Sequence, residues 1–265
     1  MPRRLALLCL TLMLAGCAAG LGKITPWRSG AVPSSAALED NIIPRGADEQ
    51  DPAVRRSIAE AQEELLVPSV SVAVMRRGRI DWTQAYGEGI DPNTRYQAAS
   101  LSKAVAAAGI LRLAEIENVD LDTDISSDLT DVDLAQLNPK GLPITLRGLL
   151  SHTNGMTGRG YPGYAAGRAL PTTAQVINGS EVTNTKPVQL KAEWVGTFHY
   201  SGGGYTLAQR WAETISGKNF ADLMEQLILK PVGMKRSTFA LHTPQTFPTD
   251  NVARAFVRIG KPIDG

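Results

Sequence analysis

An apolar segment from Ser100 to Glu117 constrains the fold of this chain more than any other feature of its sequence. At 3.6 residues per turn, its aliphatic side chains are distributed around nearly the whole circumference of a helix: Ala104, Val105, Ala107, Ala108, Ile110, Leu111, Leu113, Ala114 and Ile116. A helix that is apolar on nearly every side is stable in water only when other elements cover it. The sequence therefore predicts a buried central helix.

Strand periodicity precedes this helix. Val70, Val72 and Val74 alternate with smaller or polar residues, Arg77-Gly78 provides a turn, and the segment from Ile80 to Tyr86 returns as a second strand. Helical patterns flank or follow the hairpin: one capped by Asp51-Pro52 with Val54, Ile58, Ala61 and Leu65 on one face, and two more at Gly204–Ser216 and Phe220–Leu229. Two strands followed mostly by helices indicate an α+β fold with one mainly α-helical lobe.

The N-terminus is typical of a bacterial lipoprotein. The apolar run from Leu5 to Leu14 spans about 15 Å as a helix, half of the roughly 30 Å of a bilayer core, so residues 1–16 are predicted to be a signal peptide. The sequence Leu14-Ala15-Gly16-Cys17 resembles a lipobox, which predicts lipidation of Cys17; an ordinary signal peptide with an incidental cysteine is the alternative. Residues 17–46, mixed in Gly, Ala, Pro and Ser, are predicted to be a flexible tether. We expect localisation to the cell envelope, and Ala18 in place of Asp favours the outer membrane, facing the periplasm.

Composition excludes several classes of function. With Cys9 removed and Cys17 acylated, no thiol is left for disulfides, a cysteine nucleophile or a thiolate metal site. His152, His199 and His242 are too scattered to predict a metal centre, and no cofactor is expected. A net charge of +1 gives no basic field, so nucleic acid is not an expected partner.

The central helix begins with Ser-x-x-Lys. Ser100 and Lys103 lie three positions apart, which brings their side chains together on one helix face. A serine hydroxyl becomes a nucleophile when a neighbouring base takes its proton, and an amine is such a base only where burial disfavours its ammonium form. We therefore predict Ser100 as nucleophile and Lys103 as its partner. The alternative is an N-cap serine followed by a lysine that reaches out to solvent.

Three further motifs follow in order: Leu149-Leu150-Ser151-His152-Thr153-Asn154-Gly155-Met156, Tyr200-Ser201-Gly202-Gly203-Gly204-Tyr205 and Lys230-Pro231-Val232-Gly233-Met234. Together with the Ser-x-x-Lys motif, they resemble the class C β-lactamase-related hydrolases, which include β-lactamases, DD-peptidases and esterases. The resemblance covers roughly residues 51–239. It implies a β-lactamase/transpeptidase-like fold, with an antiparallel sheet flanked by helices and a mainly α-helical lobe, within a domain assigned to residues 47–265.

The resemblance also implies a mechanism. Ser100 would attack an amide, ester or β-lactam carbonyl of a small molecule or a peptidoglycan peptide and form an acyl-enzyme. Lys103 and Tyr200 would share the proton transfers, and which of the two is the base is left open, as is the oligomeric state. The backbone N–H of Ser100 would donate to the oxyanion. His152 would serve as scaffold, because the family uses its motif structurally.

Two departures from the family pattern are visible. Gly202 occupies the substrate-binding position where the family often carries an Asn, and it offers no side-chain donor. The family's third motif, Lys-Thr-Gly or His-x-Gly on a strand, is not found after Phe239, since His242-Thr243-Pro244 has proline in place of glycine. We therefore expect the domain to lack its C-terminal strands and helix. The alternative function is a catalytically weak or inactive envelope binding protein.

Overall fold

A computed structural model describes residues 39–165, 168–241 and 251–256. The chain divides into two compact units, residues 1–61 and 62–265. The predicted signal peptide, Cys17 and residues 17–38 of the predicted tether lie outside the described residues, as does His242. The domain boundaries predicted from the sequence stay predictions.

In the first unit, the predicted helical segment after Asp51 begins as a 3₁₀ turn rather than as one continuous helix. Asp51 caps the turn Pro52–Val54 by accepting the backbone N–H of Ala53 at 2.9 Å, as its sequence indicates. Arg55 then adopts an extended conformation, and Arg56 pairs with Ile42 in an isolated antiparallel bridge. The extended backbone at Arg55 ends the turn.

A separate helix, α1 (Ile58–Leu65), starts just after this extended stretch. The backbone N–H and hydroxyl of Ser57 donate to Glu60 Oε2 at 2.7 and 2.9 Å, and the Glu60 N–H donates to Ser57 Oγ at 3.1 Å. This reciprocal capping satisfies N–H groups that the start of a helix leaves without partners. The capping signal at Ser57 therefore explains why the predicted helix is interrupted.

The second unit contains the predicted hairpin. Strand β1 (Val70–Arg76) pairs antiparallel with β2 (Arg79–Tyr86), with an irregularity between Val74 and Met75. Arg77 and Gly78 form the connecting turn with φ values of 51° and 75°. Two successive positive φ values match the right-handed twist of the strands, so the turn sets the register. The prediction of a hairpin is confirmed, and the described residues contain one two-stranded sheet.

The Ser-x-x-Lys motif lies at the start of the central helix. A 3₁₀ turn, Ala99–Leu101, leads directly into α2 (Ser102–Ile116). The predicted burial on nearly every side is wrong: one face is buried, formed by Ala106, Gly109, Ile110, Leu113 and Ala114, whereas Ala104, Ala108, Leu111 and Ile116 are exposed. The reason is that, among the described elements, the helices packed on α2 contact it from one side.

The described residues of this unit contain five further helices: α3 (Leu134–Leu137), α4 (Leu146–Leu150), α5 (Thr173–Asn178), α6 (Gly202–Ser216) and α7 (Phe220–Met224). Short 3₁₀ turns lie at Ser126–Asp128 and Ala192–Trp194. Helix α6 ends where its sequence predicts, because Gly217 adopts φ 65° as the left-handed cap. The predicted helix at Phe220–Leu229 is α7 followed by a π turn, Glu225–Leu229.

The buried core lies among the helices. Side chains of α2, α4, α6 and α7 form one apolar cluster, whereas no side chain of β1 or β2 is fully buried. Trp211 of α6 is fully buried at the centre of this cluster, and its Nε1–H donates to Asp128 Oδ2 at 3.0 Å. The α+β fold with a helical lobe is thereby confirmed.

The described part of the chain contains no helix that combines the length and the apolar composition required to cross a membrane.

Candidate active site

Ser100 and Lys103 meet at the start of α2. The Lys103 ammonium donates a hydrogen bond to Ser100 Oγ at 3.1 Å, as expected for side chains three positions apart at the beginning of a helix. The preceding residue, Ala99, has φ 44°, a conformation that non-glycine residues rarely adopt and that often marks a functional turn. The spacing predicted from the sequence is therefore realised in the structure.

The site is more open than the sequence suggests. Ser100 is exposed, Lys103 is half-buried, and the neighbouring Leu101 side chain is 80% exposed. The prediction that burial surrounds the Lys103 amine is wrong for the described residues. The exposed face of α2 borders the site. Lys103 is instead held by direct contacts with its polar and aromatic neighbours.

Tyr200 is the third member of this cluster. Its ring centroid lies 5.1 Å from Lys103 Nζ, within the range of a cation–π interaction. Hydrogen bonding to Ser100 is the largest cause that lowers the pKa of the Tyr200 hydroxyl. Hydrogen bonding to Lys103 and the positive charge of Lys103 lower this pKa further. Ser100, Lys103 and Tyr200 thus lie in one cluster, although 97 positions separate Lys103 from Tyr200 in the sequence.

Tyr205 is a fourth residue of the site, and it was not singled out from the sequence. Its ring centroid lies 5.6 Å from Lys103 Nζ, on α6, and its hydroxyl donates to the Leu150 carbonyl at 3.1 Å. Burial raises the pKa of the Tyr205 hydroxyl. With its proton committed to a backbone carbonyl, Tyr205 serves to position the lysine. The only signal in the sequence is a second tyrosine within the same motif.

His152 lies beside both tyrosines. Its ring centroid is 4.6 Å from that of Tyr200 and 5.2 Å from that of Tyr205. His152 has φ 61° in the turn after α4, which the buried Asn154 holds by donating to the Pro143 carbonyl at 3.1 Å. His152 thus contacts the rings of two tyrosines of the site, and its scaffold role stays a prediction.

The three glycines at the start of α6 allow close approach of backbone to backbone. None of them has a positive φ. A Cβ on Gly203 would collide with the Thr157 carbonyl oxygen and would lie 2.8 Å from Val188 Cγ1. The Gly202 and Gly203 N–H groups both donate to the Gly158 carbonyl. The glycines thus seat the chain from Thr157 to Gly158 against the helix start that follows Tyr200.

Gly202, predicted at a substrate-binding position, is buried. A Cβ there would lie 3.2 Å from the Gly158 carbonyl oxygen and 3.3 Å from Tyr161 Cε2. The space that an asparagine side chain would need is therefore already occupied by the segment from Gly158 to Tyr161. The substrate-binding role of Gly202 stays a prediction.

Replacing Gly203 with alanine is expected to lower the free energy of unfolding by about 1–3 kcal/mol, because the added methyl group must displace backbone rather than a flexible side chain. Gly204→Ala is the matched control. Its Cβ would meet the Leu149 carbonyl oxygen at 3.6 Å, an ordinary contact, so stability should be unchanged or raised by up to about 1 kcal/mol. Urea unfolding measures both, and equal effects of the two substitutions would contradict the close packing at Gly203.

Within the described ranges, no group of three or more His, Cys, Asp or Glu side chains is arranged to hold a metal ion.

Comparison with known proteins identifies the family to which these motifs belong. The profile of the Beta-lactamase family matches residues 54–258. This range includes Ser100, Lys103, His152 and Tyr200, and the match confirms the resemblance drawn from the motifs. The lipoprotein signal and the missing C-terminal elements stay predictions.

Individual relatives are more distant. An unguisins hydrolase from Aspergillus campestris is 27% identical over 221 residues, covering 76% of this chain and 39% of the relative. Protein flp from Staphylococcus aureus is 25% identical over 183 residues, covering 65% of this chain and 35% of the relative. This chain thus spans well under half the length of these two curated proteins.

A solved structure supports the fold. The octameric penicillin-binding protein homologue from Pyrococcus abyssi superimposes with a TM-score of 0.60 at 23% identity, covering 78% of this chain and 48% of that one.

Proposed function

The chain belongs to the Beta-lactamase family, and from this premise we propose that it is a serine hydrolase that forms an acyl-enzyme at Ser100. The substrate is an amide, an ester or a β-lactam. The observation that carries the proposal is the hydrogen bond of 3.1 Å between Lys103 Nζ and Ser100 Oγ, with the Tyr200 ring centroid 5.1 Å from Lys103 Nζ. The name of the Aspergillus campestris relative, a hydrolase, agrees with this reaction class.

The first half-reaction forms the acyl-enzyme. Ser100 Oγ attacks the carbonyl carbon while its proton passes into the pair formed by Lys103 and Tyr200. The tetrahedral intermediate collapses when the bond to the leaving group breaks, and the leaving group takes a proton from the same pair. We assign the N–H of Ser100 as an oxyanion donor, since amides at a helix start favour negative charge.

The second half-reaction returns the enzyme to its resting state. Water attacks the Ser100 ester, gives up one proton to the Lys103–Tyr200 pair, and releases the acid. The pair returns a proton to Ser100 Oγ, so that no net proton is lost by the protein. The lowered pKa of the Tyr200 hydroxyl supports its participation in these transfers.

We also propose that the protein acts in the bacterial cell envelope, anchored through lipid on Cys17. The support is the short apolar run that ends in Leu14-Ala15-Gly16-Cys17. This location would give the site access to peptidoglycan peptides as well as to small acyl compounds.

The function is tested by covalent labelling. Purified protein is incubated with a fluorophosphonate or a fluorescent penicillin, digested, and analysed by mass spectrometry. We expect one adduct on the peptide that contains Ser100. Absence of any adduct, or an adduct confined to other residues, would rule out the proposal.

Substitution of Tyr200 by phenylalanine is expected to lower the acylation rate by about 10²–10⁴-fold, the usual contribution of a general acid–base group. The ring and its contact with Lys103 are kept, whereas the hydroxyl, whose pKa is lowered in this site, is lost. Probe labelling that is quenched at a series of times measures the acylation rate. Tyr205→Phe is the control, because the Tyr205 hydroxyl donates to the Leu150 carbonyl. We expect a much smaller loss of acylation rate in this variant. Equal losses in the two variants would show that the Tyr200 hydroxyl takes no part in proton transfer.

A binding protein that is acylated but turns over poorly is the second candidate. It is favoured by the buried Gly202, which supplies no side chain to the substrate, and by the open surroundings of Ser100. Stoichiometric labelling of Ser100 without release of the acid would support this candidate, whereas multiple turnovers lost in Lys103→Met would exclude it.

A further inference from the structure

His152 is hydrogen-bonded to both chain neighbours of Tyr200. The His199 backbone N–H donates to the His152 carbonyl at 2.9 Å, and the Ser201 backbone N–H donates to His152 Nδ1 at 3.1 Å. The imidazole ring also packs on the Tyr200 ring, with centroids 4.6 Å apart. His152 therefore contacts the Tyr200 ring and binds the backbone on both sides of it.

The bond from Ser201 sets a condition on the charge of His152. A backbone N–H can only donate, so Nδ1 must carry a lone pair, and the proton of the neutral imidazole must lie on Nε2. Protonation of His152 would place a second N–H opposite the Ser201 N–H and convert an attraction into a repulsion between donors. The contact therefore exists only with neutral His152.

Alternative partners for the Ser201 N–H are restricted. Ser201 is 2% exposed, and its hydroxyl is already engaged, since Oγ donates to the Thr157 carbonyl at 2.8 Å and accepts from the Gly204 N–H at 2.9 Å. A buried N–H that loses its acceptor has a substantial free-energy cost, so the chain around Tyr200 would shift to find another.

We propose that neutral His152 is a positioning residue that holds the Tyr200 hydroxyl on Ser100 and Lys103, so that protonation of His152 disables the site. The proposal rests on the proposed function, because it assigns a control to the same reaction. His152 acts through Tyr200, because its hydrogen bonds are to the chain on either side of that residue.

The electrostatic surroundings favour the neutral form. Burial, followed by the positive charge of Lys103, lowers the pKa of His152. The titratable side chains that face His152 are Lys103 from α2, Tyr200 from the segment before α6, and Tyr205 from α6. In α4, the helix that precedes His152, the charged side chain of Arg147 is paired with Asp122 at 2.7 Å.

The sign of the pH dependence follows. Because the folded protein binds this proton less tightly than the unfolded chain, the contact is complete above the ordinary histidine pKa and is lost as the pH falls through the lowered one. Acylation of Ser100 should therefore have an acid limb with the midpoint of His152, falling about tenfold per pH unit below it.

One substitution at residue 152 can keep a hydrogen-bond acceptor for the Ser201 N–H while removing the group that takes up a proton. In His152→Asn, the amide Oδ1 can take the place of Nδ1 as acceptor for the Ser201 N–H but does not titrate. Asparagine also tolerates the φ of 61° at this position. His199→Asn is the matched control, because the His199 ring stacks on Trp194 at 4.6 Å and only its backbone N–H contacts His152.

The experiment combines NMR with labelling on the full chain. In ¹⁵N-histidine-labelled protein, assigned with the two variants, we expect the Nε2–H tautomer of His152 and a pKa lower than that of an ordinary histidine. The Ser201 amide and the Tyr200 ring resonances should move with the same midpoint. The fluorophosphonate labelling rate should show that midpoint in wild type and His199→Asn but lose it in His152→Asn.

The outcomes separate this inference from the proposed function. An Nδ1–H tautomer, a Tyr200 ring indifferent to the titration of His152, or an unchanged acid limb in His152→Asn would each overturn the positioning role. Absence of labelling at every pH would instead reject the hydrolase, and the NMR titration alone would then decide whether His152 holds Tyr200.

Discussion

Ser100→Ala is expected to abolish covalent labelling and to lower substrate turnover to background, a loss on the order of 10⁶-fold as for other serine nucleophiles. In the proposed mechanism, Ser100 Oγ forms the acyl bond, and in the structure it accepts the Lys103 hydrogen bond at 3.1 Å. Intact-mass measurement after probe treatment gives the labelling result, and hydrolysis of a chromogenic ester gives the turnover.

Ser102→Ala is the matched control for this substitution. Ser102 lies two positions further along, at the first residue of α2, and is about 200° around a helix from Ser100. Its loss should leave labelling within a few-fold of wild type. If Ser102→Ala abolishes labelling while Ser100→Ala retains it, the nucleophile has been assigned to the wrong serine.

Lys103→Met is expected to lower the acylation rate by about 10³–10⁴-fold, at the upper end of the range for a proton-transfer group. Methionine preserves an unbranched side chain of similar length but removes the donor to Ser100, the positive charge that helps lower the pKa of Tyr200, and the cation between the rings of Tyr200 and Tyr205. Single-turnover labelling, with thermal unfolding as a check on the fold, measures the effect.

Lys103→Arg distinguishes the two ways in which the lysine can act. A guanidinium keeps the charge beside Tyr200 but cannot take a proton from Ser100. If Lys103 is the base, arginine should be as inactive as methionine; if its charge serves to activate Tyr200, arginine should recover part of the rate. Wild-type rates in both variants would contradict any role of Lys103 in the reaction.

Local elements of this protein are determined by short stretches of sequence. The hairpin follows from alternating valines and the Arg77-Gly78 turn, and α6 ends at Gly217, where only a few neighbouring residues decide the conformation. The 3.1 Å contact of Ser100 with Lys103 belongs to the same class, because helix geometry brings side chains three positions apart together. Order and spacing of the motifs were sufficient to indicate the family.

The interruption at Arg55 shows where local sequence reasoning becomes ambiguous. Apolar spacing favours one helix from Pro52 to Leu65, but the Ser57–Glu60 capping pair starts a new one. The Ser57–Glu60 capping pair was visible in the sequence. Whether it prevails over the apolar periodicity depends on the pairing of Arg56 with Ile42.

Tertiary structure alone decided how the site is assembled. Composition makes α2 apolar, but which of its faces is covered depends on the elements that pack on it, so Ser100 lies exposed. Ser201 lies 49 positions from His152, and its bond to Nδ1 arises because the turn after α4 and the start of α6 are packed together. Periodicity specifies what a segment can form by itself; which segments meet depends on burial summed over the whole fold.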